Sequence, residues 1–167
     1  MRLEGVGEVI EVGKDNAKLK VGDRIVVPFT ICCGECRQCK WGNWSCCERT
    51  NPNGKLQAET YGYPLAGLFG FSHITGGYAG GQAEYLRVPQ AQFTHIKVPD
   101  DAPDSRYVYL SDVLPTAWQA VEYADIPSGG SVTVLGLGPI GDMAARIAAH
   151  RGARVIGVDL VPERLAR

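Results

Sequence analysis

The sequence predicts a mixed fold in two parts: an α+β unit of short strands over residues 1–115, then an α/β strand–helix–strand unit over 116–167. Three observations predict it. All six cysteines are confined to Cys32–Cys47, so one short loop carries the thiol chemistry. Segments of loosely alternating apolar and polar residues flank that loop and are broken by Gly and Pro, as half-buried strands are. From Ser131 the pattern becomes apolar run, glycine turn, one-sided helix and second apolar run, which is the patterning of a parallel sheet.

The first unit opens on Gly5–Val12, a strand ended by Gly13-Lys14-Asp15-Asn16, and continues with a second strand, Asp23–Val27, stopped by Pro28. Together they read as an antiparallel pair that delivers the chain to the cysteines. In that loop Cys33, Cys36, Cys39 and Cys47 follow the spacing CxxCxxCx7C. Each two-residue gap turns the backbone so that successive sulfurs converge, giving the ligand set of a closed tetrahedral zinc site with no open position. The site is therefore read as structural, with one zinc ion per chain. A disulfide cluster is the alternative, but bridges among these cysteines would staple only a local loop and leave the rest of the chain untouched. Cys32 and Cys46 fall outside the spacing and read as small buried apolar residues.

Residues 48–64 are rich in Asn, Gly and Pro without clear period and read as an irregular excursion. Ala83–Val88 alternates again, and a short strand over Thr94–Val98 ends at Pro99. Helical spacing is seen over Tyr107–Val113 and Thr116–Ala124, interrupted at Pro115, before Ile126-Pro127-Ser128-Gly129-Gly130 turns the chain.

In the second unit, Val132–Leu135 is a buried-strand run, Pro139–Arg151 a helix, and Arg154–Val158 a second strand. His150 suits the negative pole of the helix and Gly152 its C′ position. Between strand and helix, Gly136-Leu137-Gly138-Pro139-Ile140-Gly141 matches GxGxxG, with Asp159 at the end of the next strand. In that context Gly136 makes the tight turn, Gly138 lets a pyrophosphate approach the helix N-terminus, and Gly141 lets helix and strand pack closely. Asp159 would accept from ribose hydroxyls and repel a 2′-phosphate, so NAD is expected over NADP.

With 17 basic and 18 acidic residues the net charge is -1, which leaves no footprint for nucleic acid or an anionic membrane. No apolar run approaches the roughly 18–20 residues that span a bilayer. Met1-Arg2-Leu3-Glu4 runs straight into the first strand with no apolar leader, and reduced thiols place the expected compartment in the cytoplasm.

A four-cysteine loop upstream of a GxGxxG turn, together with Glu4-Gly5-Val6-Gly7-Glu8-Val9, Val21–Val26, Gly80–Tyr85 and Leu110-Ser111-Asp112-Val113-Leu114-Pro115-Thr116, resembles the medium-chain, zinc-dependent alcohol dehydrogenases, especially their formaldehyde dehydrogenase-like branch. The resemblance implies a GroES-like catalytic domain joined to a Rossmann NAD-binding domain. It also implies a second, catalytic zinc that polarises an alcohol oxygen while hydride passes to NAD. Asp112 matches one ligand of that zinc and Glu4 the acid close to it. The branch carries a histidine just before that acid and a cysteine further upstream; Leu3, which has no donor atom, stands in the histidine position here. His73 and His95 read as surface or packing residues. Arg167 falls in the helix after the second Rossmann strand, so the chain is expected to be a fragment at both ends, with a weak NAD site and no turnover. The edge of Val132–Leu135 is expected to drive self-association. Small alcohols or aldehydes are the implied substrates; a non-catalytic zinc-stabilised module that binds a nucleotide or a partner protein is the alternative.

Overall fold

Short strands, and few of them, form where apolar residues alternate between turns. The computed structural model describes residues 5–167; Leu3 and Glu4 lie outside the described residues. It divides into two compact units, residues up to Ser111 and residues from Asp112 onward.

In the first unit, Val6–Glu8 (β1) pairs antiparallel with Arg24–Val26 (β2), and β2 with Ile96–Lys97 (β5). β1 is shorter than the segment expected from Gly5 to Val12. Pairing nevertheless continues irregularly past it, since Val9 donates to the Asp23 carbonyl and Gly22 to the Val9 carbonyl, both at 2.8 Å. Thr30–Ile31 (β3) pairs antiparallel with Gly67–Leu68 (β4). Leu19, Ile25, Val27, Ile31 and Phe69 form the apolar core of this unit.

Further sequence expectations differ from the structure. The stretch read as irregular contains an eight-residue helix, Gly54–Tyr61, ended by Gly62 in the left-handed conformation at φ 86°. Its buried Gln57 accepts from Asn51 Nδ2 at 3.0 Å, and Asn51 also donates to the Ile74 carbonyl at 3.0 Å, so side-chain amides rather than an apolar stripe hold this helix. The alternation over Ala83–Val88 forms no strand and pairs with none among the described residues, and Tyr85 is exposed. Arg24 fixes the end of the unit: its guanidinium binds the Asp104 carboxylate, donates to the carbonyls of Pro99 and Ala102 at 3.1 and 2.8 Å, and lies over the Tyr107 ring.

The helices number α1 (Arg37–Lys40), α2 (Gly54–Tyr61), α3 (Asp104–Tyr107), α4 (Val113–Tyr123), α5 (Pro139–His150) and α6 (Pro162–Leu165). Pro115 does not interrupt helical structure. It sits in the first turn of α4, where its missing N–H would have had no intrahelical acceptor.

In the second unit Ser131–Leu135 (β6) and Arg154–Val158 (β7) run parallel in the register Val132 to Val155 and Val134 to Gly157. Helix α5 makes the crossover, and its Ala144 and Ala148 pack on Ala117 and Val121 of α4. Gly152 follows α5 at φ 85°, the left-handed turn that ends the helix. Among the described residues no helix is long and apolar enough to cross a membrane.

Candidate metal centre and nucleotide-binding turn

The metal loop is built by local turns. Gly34 takes φ 74° directly after Cys33, and the amides of Glu35 and Cys36 turn back to donate to the Cys33 sulfur at 3.4 and 3.3 Å. Cys39 lies inside α1, and the single turn Trp44–Cys46 returns the chain at Cys47. The sulfurs of Cys33, Cys36, Cys39 and Cys47 are all buried and lie within 4.8 Å of one another. The Cys33–Cys39 and Cys36–Cys47 separations are 4.0 and 3.9 Å. A tetrahedron with Zn–S bonds of about 2.3 Å has sulfur–sulfur edges of about 3.8 Å, so the dimensions fit zinc. All six cysteines are free thiols.

Electrostatics at these sulfurs are uneven in a way that a cation resolves. Burial opposes ionisation of Cys36, but the backbone amides of Cys39 and Glu48 and the neighbouring thiols outweigh it and bring its pKa down to about 6. At Cys47 burial is likewise outweighed, by the amides of Arg49 and Cys33, and the pKa falls. Cys39 is driven strongly up by burial and then by the crowding of Cys36 and Cys47. Four thiolates cannot share this volume without a positive ion, and a coordinating metal deprotonates its thiols outright. Cys32 stands apart: burial pushes its thiol up to about 11, and neither it nor the half-buried Cys46 joins the cluster. His73 and His95 also stay outside it.

The loop is tied to the unit through Thr50, which the spacing did not single out. Its hydroxyl donates to the Ile31 carbonyl at 2.7 Å and accepts from the Gly67 amide at 3.0 Å, bridging β3 and β4.

At the second site β6 runs into Gly136, at φ 87°, and Gly138 caps α5 with Pro139 at its first position. A Cβ on Gly141 would stand 1.8 Å from the Gly136 carbonyl oxygen, so only glycine permits this helix to approach the turn. The first turn of a helix leaves amides without intrahelical acceptors, and Ile140 and Gly141 lie there, where a pyrophosphate can be received. Asp159 follows β7 and is almost wholly buried. It accepts from the Leu137 amide at 2.6 Å and the Val161 amide at 2.8 Å, and Arg164 stands 3.4 Å away. Those amides, Leu137 first, hold its carboxyl below the ordinary range. Arg164 was not anticipated from the motif; it lies five residues beyond Asp159, on α6.

Asp112 is the N-cap of α4, and its Oδ1 accepts from the Thr116 hydroxyl at 2.8 Å. Four-residue spacing on a helix makes that pair readable in the sequence. The carboxylate is thus oriented by its own helix, while Glu4 lies outside the described residues.

Residues 1–100 match the alcohol dehydrogenase GroES-like domain. The chain is 46% identical to the zinc-type alcohol dehydrogenase-like protein AdhB of Bacillus subtilis, over 97% of this chain and 41% of that protein. It is 37% identical to a glutathione-independent formaldehyde dehydrogenase of Pseudomonas aeruginosa, over 98% of this chain and 39% of that protein. Its structure superposes on the alcohol dehydrogenase TADH of Thermus sp. ATN1 with a TM-score of 0.80 at 34% identity, covering 98% of this chain and 43% of that one. The chain therefore spans about two fifths of the length of the curated relatives it matches. With a buried four-thiol loop inside a matched GroES-like domain, and similarity to a zinc-type relative over 97% of its length, the protein belongs to the zinc-dependent alcohol dehydrogenase family.

Proposed function

We propose that the chain serves NAD-linked oxidation of a small alcohol or aldehyde, with Cys33, Cys36, Cys39 and Cys47 holding a structural zinc and the glycine turn receiving NAD. When bound at Asp112, a second zinc would supply Lewis acidity toward the substrate oxygen, and NAD would accept the hydride. The chain's own residues do the holding and orienting. Thr116 fixes the Asp112 carboxylate, and by its sequence Glu4 matches the acid that the family carries in its zinc site. Gly136, Gly138 and Gly141 shape the turn so that the first turn of α5, with Pro139 and Ile140, would receive a pyrophosphate. Asp159, held ionised by backbone amides, would accept from the ribose hydroxyls of a bound NAD and disfavour a 2′-phosphate. Reduced thiols suit the cytoplasm.

The observation that supports the reading is the β6–turn–α5–β7 unit, in which Gly141 leaves no room for a Cβ and Asp159 follows the second strand. Calorimetric titration with NAD and NADP tests it. Weak binding with NAD preferred is expected; equal or tighter NADP binding contradicts it.

Leu3 favours a second reading, a zinc-stabilised nucleotide-binding module without turnover, because an aliphatic side chain cannot supply the ligand that the branch places there. Alcohol-dependent NADH formation with two zincs per chain supports the dehydrogenase. One zinc and no turnover, with activity absent unless both Leu3→His and an upstream cysteine-bearing segment are supplied, supports the module.

A further inference from the structure

We infer that Phe93 and Thr94 form a latch over the thiol cluster that governs how fast its metal is lost. The inference rests on the four cysteines being zinc ligands. Sequence spacing gives no hint of it, since the latch lies more than forty residues beyond Cys47.

Gln90 takes φ 55°, and its carbonyl accepts from the amides of both Phe93 and Thr94 at 2.9 Å, which closes residues 90–94 into a tight turn. Thr94 is 2% exposed. Its hydroxyl accepts from the Cys32 amide at 3.1 Å and donates to the Cys32 carbonyl at 3.0 Å, satisfying both backbone groups of the residue before the first ligand. Phe93 packs against the cluster formed by the thiols and Ala66. Its ring lies so close over Gly34 that a Cβ there would stand 2.5 Å from Cδ2, so the ring meets bare backbone between Cys33 and Cys36. Trp44, three residues before Cys47, meets the same ring edge-on at 5.9 Å and 78°.

The latch thus touches the loop before its first ligand, between its first two, and beside its last. Metal loss requires a competing ligand or water to reach a sulfur, and the apolar shell around a site controls that access. Local opening must first break the Thr94–Cys32 pair and lift the ring, which raises the free energy of the open state.

The test is zinc transfer from the zinc-loaded protein to excess chelator, followed with a metallochromic dye. Phe93→Ala is expected to release zinc at least about 10-fold faster, with Thr94→Val and Phe93→Leu between it and the parent. Val27→Ala, which thins the separate apolar core of the same unit, should lower the melting temperature yet leave release unchanged. If Phe93→Ala does not fold, the two milder variants decide. Parent-like release in Phe93→Leu and Thr94→Val overturns the latch, as does Val27→Ala accelerating release equally. A chain that neither carries nor takes up zinc sinks the metal reading and the latch together; one zinc with unaltered release sinks the latch alone.

Discussion

At Gly141 a single added methyl group would stand 1.8 Å from the Gly136 carbonyl oxygen, and backbone cannot swing aside as a side chain can. Gly141→Ala should therefore cost about 1–3 kcal/mol by overpacking and weaken NAD binding further. Thermal unfolding checks the first effect and calorimetry the second. The cysteines divide just as sharply. Replacing Cys33, Cys36, Cys39 or Cys47 by Ser puts a hard, protonated hydroxyl where a thiolate is needed, so each variant should lose its zinc and melt earlier. Cys32→Ala should keep its zinc, because that thiol, though buried, lies outside the four converging sulfurs. Elemental analysis of the five proteins separates the two outcomes; zinc retained in Cys39→Ser or lost in Cys32→Ala would contradict the assignment.

Elements were legible in the sequence where local chemistry alone sets them. β6, α5 and β7 lie close to the expected bounds because apolar runs, Pro139 at the helix start and Gly152 after its end are all local signals. The four thiols named from spacing converge for the same reason. Helix α2 was not legible, since its hold comes from Asn51 and Gln57 amides that reach across the fold instead of from a periodic apolar face. Ala83–Val88 shows the converse: alternation alone makes no ladder, and here Leu86 and Val88 pack on the core without strand pairing. Phe93 and Thr94 were equally invisible, because what they touch is distant in sequence. Asp159 links β7, the glycine turn and α6, and its lowered pKa gives a signed prediction. The stabilisation it adds is fully present above the ordinary aspartate value of about 3.9 and is lost as pH falls through its lower folded value. Asp159→Asn should therefore melt earlier than the parent at neutral pH, with the gap closing below about pH 4. A gap independent of pH would contradict this role for its charge.

For the molecule as a whole, β6 pairs with β7 on one edge and with no strand on the other among the described residues. Leu135, Ile156 and Val158 share one face of that two-stranded sheet and are 79%, 47% and 46% exposed. Parallel sheets are ordinarily covered on both faces, and open edges recruit other chains. Self-association of this chain is therefore expected, seen as a sedimentation mass that rises with concentration. A monomer at every concentration, with freely exchanging amides in Val132–Leu135, would contradict it.

Zinc chemistry in a GroES-like unit joined to a dinucleotide turn is the central claim, and it is tested most directly by the metal content of the purified chain. The expected result is one zinc per chain, with four thiols shielded from a thiol reagent until the metal is removed. Protein that contains no zinc, takes none up, and holds the same cysteines in disulfides would contradict it.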